Sequence, residues 1–67
     1  MSDMLKVIEV LAESDKSRED AASEAVTRAS KNVHGIKSIY IKDMEAKVEN
    51  NTITKFRINA KISFMLD

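Results

Sequence analysis

Few residues in this 67-residue chain have the chemistry to do more than fold. His34 is the only histidine and there is no cysteine, so no Cys/His zinc cluster can be assembled. A lone histidine beside the end of a helical pattern reads as a surface residue, and no nucleophile motif accompanies it. With a single glycine, Gly35, the chain has no Gly-rich loop to cradle a phosphate. Asp43, Glu45 and Glu49 alternate along one segment. A hard cation needs several oxygens converging on it, and a row on one strand delivers that only across a symmetry axis. Without such an axis they read as solvated charges. Met44 and Met65 read as filling for a core or an interface. The residues by themselves therefore predict no enzyme, but a small self-associating domain.

Charge and size narrow the class. Lysines and arginines number 11, as do aspartates and glutamates, and the two signs are interspersed. A nucleic-acid binder clusters its basic groups, so that partner is not expected. No apolar run reaches transmembrane length, and Met1-Ser2-Asp3-Met4 is not a signal peptide. A cytoplasmic protein with no membrane partner is the default expectation. Residues 1–67 make one domain, too small to bury a generous core and lacking a disulfide or zinc to compensate. Self-association is the expected source of the missing stability.

The elements that must position these groups follow from periodicity. Phe56, Ile58, Ala60, Ile62, Phe64 and Leu66 alternate with Arg57, Asn59, Lys61 and Ser63, the pattern of a strand with one buried face. Ile36, Tyr40, Met44, Ala46 and Val48 repeat that parity upstream of Asn50-Asn51, predicting a β-hairpin across Ile36–Leu66. A three-residue loop, Glu49-Asn50-Asn51, is preferred over a two-residue one because it pairs 48 with 52, 44 with 56 and 40 with 60, keeping the apolar set on one side. Ile39 and Ile41 fall on the other parity, and a bulge near Lys42 would rotate some of these side chains inward. Upstream, Met4–Ala12 reads as a strand apolar on both faces, suggesting a covered position rather than an open edge. Glu13-Ser14-Asp15-Lys16 reads as a polar break. Ser17 opens a helix as N-cap, with Asp20 in a weak capping-box position. Ala21, Ala22, Ala25, Val26, Ala29 and Val33 form its apolar stripe, Glu24 and Arg28 pair at i,i+4, and Gly35 reads as the C-cap. The order is β-α-β-β: an α+β fold with an antiparallel sheet and one helix against it.

The stretches Lys6-Val7-Ile8-Glu9-Val10, Arg28-Ala29-Ser30-Lys31 and Lys61-Ile62-Ser63-Phe64-Met65-Leu66 resemble the dodecins, over essentially the whole chain. The resemblance implies a three-stranded sheet partly wrapped around one helix, assembled into a hollow homododecamer. It also implies flavin (riboflavin or flavin mononucleotide, FMN) stacked in pairs between subunits, for storage and protection from light rather than catalysis. Two positions depart from that pattern. The family's flavin-stacking tryptophan aligns with Ser38, and the glutamine that bonds the flavin edge aligns with Arg57. A serine offers no π-face, so weakened flavin binding is expected, while Arg57 retains the ability to stack or to pair with a phosphate. Lys37 and Tyr40 are the supporting candidates, and strand parity places Ser38 and Arg57 on opposite faces. The segment Lys37-Ser38-Ile39-Tyr40-Ile41-Lys42-Asp43 is more similar to dodecins lacking the tryptophan, some of them calcium-binding. On that alternative Asp43, Glu45 and Glu49 are the candidate metal ligands, in a shell that holds calcium or is purely structural.

Overall fold

A computed structural model describes residues 4–66. The chain runs β1 (Leu5–Ser14), α1 (Arg18–Ala29), β2 (Ile36–Glu49) and β3 (Thr52–Met65). All pairings are antiparallel and the strand order is β1-β3-β2. The expected β-α-β-β fold is therefore what forms. The most regularly alternating segment, β3, takes the centre. One of its faces meets the helix; the other, here called the open face, is covered by none of the described residues.

The helix starts as its residues dictate. Ser17 is extended (φ −167°, ψ 165°) and its hydroxyl accepts from the Asp20 amide. Asp20 does not reach back to complete a capping box; its carboxylate accepts from Ser14 Oγ at 2.6 Å. Ser14 is buried and Lys16 N donates to the same hydroxyl at 2.9 Å, so this serine ties the strand end to the helix start. Ala21 is fully buried against Ile58 and Ala60, with Val10, Ala12, Ala22 and Ile39 packed around them. Small alanines let helix and sheet approach closely, as the stripe suggested.

Several expectations are corrected. β1 does not stop at Ala12 but runs to Ser14, because Glu13 continues its open-face alternation. It is also an edge strand, and its apolar open-face residues Leu5, Val7 and Leu11 stay 49–70% exposed. The helix ends at Ala29, with Ser30 as C-cap, so Val33 lies beyond it and Gly35 caps nothing. Gly35 is left-handed (φ 65°) at the entry to β2, where its carbonyl accepts from Met65 N at 3.0 Å.

The hairpin loop is two residues long, not three: Glu49 pairs with Thr52. Asn50 and Asn51 both take positive φ (54° and 63°), as the mirror-image two-residue turn requires. The parity conflict that argued for a longer loop is resolved by a bulge. Lys47 pairs with Lys55 but Val48 with Ile53, leaving Thr54 as an extra residue in β3. Two further shifts lie in β2, at Lys37 and at Lys42, the second where the sequence suggested one. Together they bring Ile36, Ile39, Ile41, Met44 and Ala46 opposite helix-facing partners in β3, and move Tyr40 to the open face opposite Lys61.

Candidate functional site

The bulges determine which candidate residues share a face. In an antiparallel pair, directly opposed residues lie on the same side. Ser38 opposes Ser63, Tyr40 opposes Lys61, Asp43 opposes Asn59 and Glu45 opposes Arg57, all on the open face. The expectation that Ser38 and Arg57 lie on opposite faces is thus corrected: an extra residue at Lys42 reverses parity between them. They are still far apart. Ser63 and Arg57 are six residues apart along β3, roughly 20 Å, so one chain cannot bring both to one small ligand.

Strand β1 completes each row. Val7 lies beside Ser63, Glu9 beside Lys61, Leu11 beside Asn59 and Glu13 beside Arg57. Arg57 therefore has a carboxylate on each side. Its Nε and Nη2 donate to Glu13 Oε2 at 2.8 and 2.6 Å, and its Nη1 donates to Glu45 Oε1 at 3.2 Å. The hydrogen bond from Arg57, and then its charge, hold the Glu13 carboxyl below its ordinary range. Glu13 in turn raises the guanidinium further. Lys55 approaches Glu13 at 3.9 Å and Lys47 pairs with Glu49 at 3.5 Å. Sequence reading passed over Glu13 as part of a polar break; its odd position in line with Leu5, Val7, Glu9 and Leu11 was the available signal.

The other candidates are placed as follows. Ser38 shares a hydroxyl–hydroxyl bond with Ser63 across the strands. Lys37 is the extra residue beside it. Tyr40 is 64% exposed. Asp43, Glu45 and Glu49 are strung along β2, with Glu45 held by Arg57 and Glu49 by Lys47. Among the described residues no three histidine, cysteine or carboxylate groups gather as a metal cluster. His34 is exposed, and no described helix is long and apolar enough to cross a membrane.

A flavin held as the resemblance implies would find neither of its two contacts free among these groups. At the stacking position a hydroxyl bonds its neighbour across the sheet, and at the edge-bonding position the guanidinium is committed to two carboxylates.

Comparison with known proteins bears on this site. The family model for dodecin matches residues 4–67. No curated protein matches the chain. Among solved structures, dodecin from Streptomyces coelicolor superposes with a TM-score of 0.91 at 23% identity, covering 97% of this chain and 93% of that one. A protein from Thermus thermophilus superposes at 0.92 with 18% identity, covering 98% and 97%. The calcium dodecin of Mycobacterium tuberculosis, described as calcium-chelating, is 31% identical with a TM-score of 0.81, covering 96% and 91%.

Proposed function

This chain belongs to the dodecin family, and on that premise we propose that it is a non-enzymatic protein that assembles into a homododecameric shell and binds a small ligand on the open face of its sheet. The observation that carries this reading is the open face itself. Leu5, Val7, Leu11 and Tyr40 line it at 49–70% exposure, and three strands hold it in a fixed register. Apolar side chains presented this way gain free energy when a second copy or a ligand covers them. Flavin is the ligand the family suggests, at an affinity reduced by the loss of the ring at Ser38 and by the carboxylates that occupy Arg57.

A calcium-binding shell is the second reading. It is supported by the 31% identity to a calcium dodecin and by the acidic residues of β2. Their spread along the strand means that a calcium ion would draw carboxylates from more than one copy, since it takes six to eight oxygens.

Light scattering at micromolar concentration tests assembly, and a monomer would defeat the shell. Titration with riboflavin, FMN and calcium then separates the readings. Quenching of flavin fluorescence that saturates supports the first. A thermal midpoint that rises with calcium and falls with chelator supports the second.

A further inference from the structure

We infer that Met44 is an oxidation site: a hydroperoxide converts its thioether to the sulfoxide, and Arg18 holds the new oxygen by a hydrogen bond. The site lies on the helix side of the sheet, apart from the open face and from any ligand bound there.

Met44 stands opposite Ile58 in β3, where the hairpin begins to run past the start of α1. It is therefore only half covered, at 50% exposure. The groove around it is lined by Ala46, Ile53 and Phe56 from the hairpin and by Arg18 and Glu19 from the helix start. Arg18 Nη1 donates to Met44 Sδ at 3.5 Å, while Arg18 Nε donates to Glu19 Oε2 at 3.1 Å. Different nitrogens serve the two partners, so the guanidinium keeps its carboxylate and still turns a donor toward the sulfur. Among the described residues, no other methionine sulfur receives a hydrogen bond. Met4 is more exposed, at 66%, and Met65 is partly buried beside Gly35.

A thioether is a weak acceptor and a guanidinium a permanently charged donor, so the pair is poorly matched as it stands. Oxidation improves the match. A sulfur lone pair attacks one peroxide oxygen, the O–O bond breaks, and the proton on the transferred oxygen passes to the leaving hydroxide. Sulfur is oxidised to the sulfoxide and the peroxide is reduced to water (to an alcohol for an alkyl hydroperoxide). The new oxygen is carried on the atom that Arg18 Nη1 already contacts. A hydrogen bond from a charged donor to such an oxygen is stronger than a neutral one. Without Arg18 the same polar oxygen would sit unpaired beside Ala46, Ile53 and Phe56, which is unfavourable.

Wild-type protein, Met44→Leu and Arg18→Ala are treated with hydrogen peroxide, and sulfoxide at each methionine is followed by peptide mass spectrometry. Met44 should oxidise at a rate close to that of Met4 and severalfold faster than Met65, in the order of their exposure. Thermal midpoints are then measured before and after treatment. The Met44→Leu protein, treated alongside, subtracts the effect of the other methionines. Oxidation of Met44 should lower the Arg18→Ala midpoint by roughly 4–8 °C more than the wild-type midpoint, the scale of one lost hydrogen bond in a chain of this size. Methionine sulfoxide reductases should return both midpoints to their starting values. Met44 as resistant to peroxide as Met65, as it would be under a second copy of the chain, would overturn the inference. So would equal losses of midpoint in wild type and Arg18→Ala, because Arg18 would then not be holding the sulfoxide.

Discussion

At the scale of single residues, Arg57 is the side chain whose role changes most on folding. As a sequence position it is a free cation; in the fold it bridges Glu13 and Glu45. The Glu13 carboxyl is depressed in the folded state, so its pairing contributes stability above the ordinary carboxylate value. That contribution disappears as pH falls through the depressed one. Arg57→Gln should therefore be less stable than wild type near neutrality, and the gap should close in acid, as read by urea denaturation at about pH 7 and about pH 3. Gly35 makes a second prediction. Its φ of 65° disfavours any L side chain, and an added Cβ would meet Met65 Cβ at 3.1 Å. Gly35→Ala should cost about 1–2 kcal/mol in denaturant unfolding.

At the scale of elements, the hairpin shows how turn chemistry and strand patterning reach agreement. Two asparagines with positive φ make a tight turn whose register by itself would set Ala46 against Lys55. The extra residue at Thr54 moves Ala46 opposite Phe56 instead, at the cost of one unpaired position. Asn51→Gly should raise the thermal midpoint, since glycine adopts the left-handed region without strain, and Asn51→Val should lower stability by about 1 kcal/mol. The helix contributes in the opposite way, by being short. It ends at Ala29 while the hairpin extends well past its N-terminal end, leaving Met44, Val48 and Ile53 half exposed.

At the scale of the whole molecule, the single chain is more open than a compact monomer of its size. It exposes 5186 Å², against roughly 4,200 Å² for a compact monomer of its mass. Its radius of gyration is 13.8 Å, against about 11 Å for a globular chain of this length. Its principal extents are 53 × 20 × 13 Å. The excess surface includes the apolar side chains of both edge strands and the hairpin end. Leu11 is 70% exposed and supports no core of its own, so Leu11→Glu should leave the far-ultraviolet circular dichroism unchanged. If the open face joins copies, light scattering should show the same variant as a smaller species.

Element types and order were legible because each rests on a local signal: alternation in β3, alanines at helical spacing, Ser17 before an acidic first turn. The family was legible for the same reason, through short runs distributed over that order. Strand position was not legible, because an apolar–apolar pattern is the same whether this chain or another one covers the second face. The bulge at Lys37 left no sequence mark, since any residue can be the extra one; the parity conflict across the Asn50-Asn51 turn was the mark of the one at Thr54, and the parity of Ile39 and Ile41 the mark of the one at Lys42. Which residues share the open face, and therefore that Arg57 meets Glu13, depends on pairings between strands 44 residues apart. Local pattern encodes periodicity within an element. Register between distant elements is decided by the sum of their contacts, and only the folded sheet evaluates that sum.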